Sequence, residues 1–228
     1  MMPMNKQPSS ARAPLTTEEL ERISADDFGR LKLTDDEKSR LGQINKARQK
    51  ERMERSARLR VEEEPILVDL RAIGWNVESV WDLVNTSTGY SEAIPILLKH
   101  LLLPYSDRTR EGIARAVAVP EPAVRKAWPM LVEAYCNAYF GLGIIAPGDT
   151  KEYRLGTKDG LACALSIAVT DETMEELIGI AKDRSHGESR VLLLSALKKS
   201  KSALANKALE ELASDPDLAK EIASWRKR

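Results

Sequence analysis

Apolar side chains in this chain recur at three- and four-residue intervals, and no stretch alternates apolar with polar long enough for a half-buried strand. Ile66, Leu67, Leu70 and Ile73 share one helical face, with Pro65 placed for the first turn and Gly74 as the stop. Val77, Val80, Trp81 and Val84 make a second, shorter face. Ser91 is placed to cap a third helix that buries Ile94, Leu97, Leu98 and Leu101. The expected fold class is all-α.

The N-terminal part has a different texture. Residues 1–14 hold three prolines and little that is apolar, and are expected to be disordered. Residues 15–61 read as a charged, partly helical arm. Thr34 and Glu37 form a capping-box pattern, and Leu41 and Ile44 begin an apolar stripe that Arg48 and Glu51 break. Lys46, Arg48, Lys50, Arg52, Arg55, Arg58 and Arg60 put seven cations into fifteen residues. That run reads as a phosphate-seeking arm or as a solvated charged face. The absence of interleaved aromatics favours the second.

Internal repetition organises the remainder. Arg110-Glu111-Gly112-Ile113-Ala114-Arg115-Ala116-Val117 matches Lys158-Asp159-Gly160-Leu161-Ala162-Cys163-Ala164-Leu165: basic, acidic, Gly, aliphatic, Ala, any, Ala, aliphatic. Looser copies start at Arg190 and Lys220, so the basic anchors are spaced by 48, 32 and 30 residues. Each follows an amphipathic stretch, at about 92–103, 128–140, 172–182 and 203–213. These are four helix–turn–helix units, none able to bury its apolar face alone, and stacking lets neighbours cover one another. The small residues Ala114, Ala116, Ala162 and Ala164 permit close approach of second helices.

With an aspartate in the turn and a basic residue opening the second helix, the units resemble the HEAT-repeat family of α-solenoids. Asp107 with Arg110 and Asp217 with Lys220 carry that pattern, Asp183 with Arg190 is a stretched version, and Lys158 has no aspartate three residues earlier. The resemblance spans 92–228, with 64–90 as a capping hairpin. It implies a HEAT-like α-solenoid of about four to five stacked hairpins over 62–228. It further implies turn aspartates and basic anchors that tie neighbouring turns, and a partner held on a concave face of second helices. Short members of this kind include toxin-neutralising and complex-assembling adaptors, and most members are not enzymes. By spacing, Glu111, Arg115, Lys158, Ser195, Lys198 and Lys199 fall on exposed faces of the second helices, with Arg108 and Arg125 near unit ends. They are the candidate partner-binding residues.

The wide first spacing marks an insertion over 141–156, whose Leu142, Ile144, Ile145 and Tyr153 are placed to cover the groove or meet a partner. The same segment holds a formal Gly-x-Gly-x-x-Ala at Gly141, Gly143 and Ala146. A dinucleotide fingerprint needs a strand before it and a helix after it, and Pro147-Gly148 blocks that helix.

Composition narrows the chemistry. The 35 basic and 35 acidic residues cancel, but residues 1–60 carry a net of +4 and residues 61–228 a net of −4. Some short HEAT-like solenoids resemble glycosylases of alkylated DNA, which makes nucleic-acid binding the alternative function. A net-acidic repeat region with only 5% aromatic residues speaks against it. Two cysteines, Cys136 and Cys163, exclude a disulfide framework and read as small buried hydrophobes. Two histidines, His100 and His186, leave little for acid–base work, and no spacing pairs either with a cysteine. No phosphate-binding loop or zinc motif is present, so neither cofactor nor metal is expected. Trp75, Trp81, Trp128 and Trp225 read as core, and Pro129 as the start or kink of a helix. Lacking an apolar leader or membrane span, the chain is expected to be cytoplasmic. The expectation is a non-enzymatic adaptor that binds another protein.

Overall fold

The structure, a computed structural model, describes residues 12–225. The tail expected to be disordered therefore lies outside the described residues as far as position 11. The helices are α1 (Thr17–Arg22), α2 (Ala25–Arg30), α3 (Asp35–Ala72), α4 (Val80–Val84), α5 (Ile94–Leu101), α6 (Asp107–Ala116), α7 (Pro122–Lys126), α8 (Trp128–Asn137), α9 (Thr157–Ala168), α10 (Met174–Lys182), α11 (Arg190–Lys199), α12 (Ala203–Leu212) and α13 (Ala219–Trp225). Two short strands, β1 (Leu142–Gly143) and β2 (Tyr153–Arg154), pair antiparallel inside the insertion. The protein is otherwise all-α. No helix among the described residues is long and apolar enough to cross a membrane.

The chain divides into two compact units, Met1–Glu54 and Arg55–Arg228. In the first, reciprocal capping boxes start α1 (Thr16 with Glu19), α2 (Ser24 with Asp27) and α3 (Thr34 with Glu37). Leu20, Leu33 and Leu41 form a small core against Leu15, Ile23 and Ile44. Glu37 is buried beside it and accepts from the Leu15 amide at 2.8 Å and from Arg12 at 2.8 Å.

Pro65 lies inside α3 rather than opening a new helix. Proline lacks the amide that an interior helical turn uses, at a cost of about 3 kcal/mol. Long-range contacts next to it offset that loss. The Glu62 carboxylate accepts from the Ser106 amide (2.7 Å), the Ser106 hydroxyl (2.6 Å) and the Thr109 hydroxyl (2.6 Å). Buried Glu63 accepts from the Val80 amide at the start of α4 at 3.1 Å, and burial pushes its carboxyl above the ordinary value.

In the second unit α4, α6, α9 and α11 pack side by side in that order. Helices α5, α8 and α10 flank them, each packed against the helix that follows it in its own hairpin, α6, α9 and α11. The repeated glycine explains the spacing. A Cβ on Gly112 would lie 2.7 Å from Val80 and 2.8 Å from the Trp81 indole nitrogen. One on Gly160 would lie 2.9 Å from Ala114 and 3.1 Å from the Glu111 carbonyl oxygen. The two copies of the pattern thus bring α6 onto α4 and α9 onto α6. The first helix of the second hairpin breaks into α7 and α8 at Ala127, and Pro129 sits in the first turn of α8. Trp128 is buried and donates to Glu176 of α10 at 2.6 Å, while Trp75, Trp81 and Trp225 are half-buried against the core.

Candidate functional site

The insertion is an ordered hairpin. Glycine at 141 (φ +95°) and at 148 (φ +71°) supplies the left-handed turns that other residues rarely adopt. Leu142 pairs with Arg154 and Gly143 with Tyr153. The Leu155 amide donates to Gly141 at 2.9 Å, and the Arg108 amide donates to Ile145 at 2.8 Å. The buried Asp149 carboxylate accepts from Arg55 Nε at 2.9 and 3.0 Å and from Arg58 Nη2 at 2.7 Å. Arg58 also donates to the Pro147 carbonyl, and the Arg55 guanidinium lies 4.3 Å above the Tyr153 ring. Two members of the basic run thus clamp the hairpin and do not reach for an external anion. Lys46, Lys50, Arg52 and Arg60 are exposed, and Arg48 donates to the Glu21 carbonyl at 2.8 Å. The formal glycine fingerprint lies within this hairpin, and α9 begins only at Thr157.

Beside the hairpin is a pocket of about 340 Å³. Tyr139 (84% exposed), Phe140 (54%), Leu142 (69%) and Ile144 (48%) line it and remain open to solvent. Phe140 rests on Gly187, where a Cβ would lie 2.9 Å from the ring. Tyr105, Asp107 and Arg110 also line it. The two Asp107 oxygens accept from the Gly156 amide (2.7 Å) and the Thr157 amide (3.1 Å), so this carboxylate caps α9 instead of pairing with Arg110. Among the described residues no hydrogen bond or ion pair to the Arg110 side chain is formed, and its Nε is buried without a partner.

The anchors Arg190 and Lys158 are satisfied within the fold, and Lys220 is exposed. Arg190 is fully buried and donates to the Ala181 and Gly187 carbonyls, to Asp215 at 3.0 Å and to Asp217 at 2.9 Å. Asp217 therefore meets Arg190 of the preceding hairpin rather than Lys220, and Asp183 accepts from the Ser185 amide rather than pairing with Arg190. Lys158 is buried, which corrects its expected place on an exposed face. Its ammonium donates to the Tyr135 and Ala138 carbonyls at the end of α8, at 2.9 and 3.1 Å. Burial pushes its ammonium below the ordinary value.

Glu111 is likewise buried, between Arg108 and Arg115, each 2.8 Å away. Apposed to Gly156, it has no room to reach a partner. Arg108 stacks 3.7 Å over Trp81. Arg125, Ser195, Lys198 and Lys199 are exposed, with Lys198 4.4 Å over the Trp225 ring. Within the insertion, Leu142 and Ile144 face the pocket, whereas Ile145 and Tyr153 are half-buried and do not line it. The periodicity that located the second helices carried no signal for the open side chain of Arg110, because it marks a basic anchor at Arg110 and at Arg190 alike.

Two histidine clusters complete the polar interior. Buried His100 lies 2.9 Å from Asp69 and 2.8 Å from the Tyr105 hydroxyl, tying α3 to the turn after α5. Cys136 is exposed, contrary to expectation, and its sulfur lies 4.0 Å from His186 Nε2, a proximity the spacing did not reveal. Partial desolvation of the sulfur raises the Cys136 thiol and burial lowers the His186 imidazole, which favours the neutral form of each. Asp183 approaches the same imidazole nitrogen at 3.7 Å, so no base–orienter line forms. Cys163 is half-buried. No cluster of three or more metal-ligating side chains occurs among the described residues.

Compared with known proteins, the chain matches no family model, no curated protein and no solved structure.

Proposed function

We propose that this chain is a short HEAT-like solenoid that binds another protein, and that the partner seats on the pocket beside the 141–156 hairpin. The stacking of α4, α6, α9 and α11 through glycine and alanine contacts supports the solenoid reading. So does Arg190, which ties its own hairpin to the turn of the next through Asp215 and Asp217. The observation that carries the docking reading is the set of four large apolar side chains, Tyr139, Phe140, Leu142 and Ile144, exposed around one pocket. Leaving such side chains in water forgoes about 1.5–3 kcal/mol each, and a partner's apolar residues recover it. Adaptor function of the toxin-neutralising or complex-assembling kind is compatible with this surface.

Site-specific photocrosslinking in cells tests the reading. A crosslinker at Leu142 is expected to trap a protein that the same group at exposed Lys207 on α12 does not. The trapped protein, once purified, is expected to form a complex with the full chain that Leu142→Glu abolishes without altering the melting temperature. Equal trapping at both positions, or a complex indifferent to Leu142→Glu, rejects this surface as the docking site.

A further inference from the structure

We infer that the docking pocket is built to receive a carboxylate, carried by an aspartate or glutamate side chain of the partner between apolar residues, with Arg110 as its counter-ion. The inference rests on the protein-docking reading above and names the chemistry of the docked segment. Arg110, Lys158 and Arg190 hold the same place in three copies of one pattern. Two of these cations are satisfied by the hairpins around them. Arg190 meets Asp215 and Asp217 from the turn after α12. Lys158 spends its protons on the Tyr135 and Ala138 carbonyls at the end of α8. The turn that follows α8 lines the pocket with Arg110, and it contributes Ala138, Tyr139 and Phe140, then Leu142 and Ile144 of the hairpin, with no acidic side chain. Asp107, the one carboxylate lining the pocket among the described residues, is occupied by the Gly156 and Thr157 amides.

The place filled by carboxylates at Arg190 is therefore open at Arg110, and the insertion has replaced it with apolar walls. A guanidinium presents paired donors that fit a carboxylate edge-on, and a docked segment that covers the apolar side chains shields the pair from water and strengthens it. The pocket, about 340 Å³, has room for one acidic side chain with an apolar neighbour. An internal carboxylate is the favoured anion because Arg190 already takes two of them, within Asp215-Pro216-Asp217.

The test is an NMR titration of the ¹⁵N-labelled full chain with three blocked tripeptide amides: leucyl-aspartyl-phenylalanine and its asparagine and phosphoserine counterparts. The aspartyl peptide is expected to bind at roughly millimolar strength, moving the amides of 139–144, and the asparaginyl peptide about ten-fold more weakly. Arg110→Gln is expected to erase the difference between the two, and Arg110→Lys to restore part of it. Ile144→Glu, which leaves Arg110 intact, is expected to remove the aspartyl preference by placing a carboxylate at the rim. Equal binding of the aspartyl and asparaginyl peptides, a preference that survives Arg110→Gln, or a ten-fold preference for phosphoserine overturns the inference. So does a failure of every peptide to bind at about 10 mM. In each of these cases the docking surface itself still stands or falls by the Leu142 crosslink.

Discussion

The guanidinium of Arg190, with no exposed surface, lies 3.0 Å from the Asp215 carboxylate, itself 7% exposed, across the junction of two successive helical hairpins. Hydrogen bonding from Arg190 holds the Asp215 carboxyl at about 2, below its ordinary 3.8. A depressed carboxyl contributes stability that is complete above its unfolded value and lost as the pH falls through the folded one. Thermal melts should therefore show an acid limb between pH 3.8 and about 2 to which Asp215 contributes. Asp215→Asn is expected to remove that contribution and to cost about 3 kcal/mol at neutral pH, the low end for a broken buried pair because Asp217 remains. Unchanged urea stability in this variant would show that the pair does not hold the junction.

The repeated glycine makes a contrasting prediction. Alanine at Gly160 brings a Cβ to 2.9 Å from Ala114 and 3.1 Å from a backbone oxygen, so α9 has to move away from α6. Overpacking costs about 1–3 kcal/mol and exceeds the gain of up to about 1 kcal/mol in helix propensity. Gly42, exposed in α3 with nothing within 4 Å of such a Cβ, keeps the gain, and Gly42→Ala should stabilise by about 0.5–1 kcal/mol. Chemical denaturation of the two single variants reads both signs. Stabilisation by Gly160→Ala would remove close helix approach as the meaning of the repeat.

How much of this was legible before the structure follows from the range of the interactions. The second helices were visible because Gly112, Ala114, Gly160 and Ala162 put small residues on a contact face at fixed register, a local signal. The continuity of α3 through Pro65 was not, because Glu62 and Glu63 hold it by bonds to residues 17–47 positions away. The fate of Arg55 was hidden for the same reason, since Asp149 lies 94 residues further on. Charge misled at Lys158 and Glu111. Both look solvent-facing by residue type, and both are buried because carbonyls or arginines satisfy them. Arg110 was read only as a turn anchor. Its difference from Arg190 lies in what a distant turn fails to supply.

One buried carboxylate fastens the tip of the hairpin to α3. Asp149→Asn keeps the shape of the side chain but removes the charge that Arg55 and Arg58 share. Charge-assisted bonds are roughly twice as strong as neutral ones, so the hairpin should open more readily by about 1–2 kcal/mol. Hydrogen exchange at the Leu155 amide, bonded to Gly141, is expected to speed up about ten-fold, while the Leu177 amide in α10 is unchanged. Equal acceleration at both amides would mean that the clamp supports the whole unit rather than the hairpin.

Tyr135 sets the alkaline behaviour. It is fully buried in α8, its hydroxyl 2.8 Å from the Ser189 hydroxyl, and burial pushes its phenol up to about 12 from an ordinary 10. Between those two values the folded chain holds a proton that the unfolded chain has lost, so stability falls as the pH rises from 10 toward about 12. Lys158, whose ammonium is lowered and sits 4.6 Å from the Tyr135 ring, acts in the opposite sense up to its ordinary value of 10.5. Burial raises Tyr90 and Tyr105 too, and they add to the fall. Tyr135→Phe deletes one contribution and leaves the others. At neutral pH it should cost about 1 kcal/mol for the lost hydrogen bond, partly because Ser189 still donates to the His186 carbonyl at 2.9 Å. Above pH 10 its stability should decline less steeply than that of the parent, by up to about 1.4 kcal/mol per pH unit. Parallel alkaline limbs for parent and variant in urea titrations would show that the Tyr135 phenol titrates at its ordinary value in the folded chain.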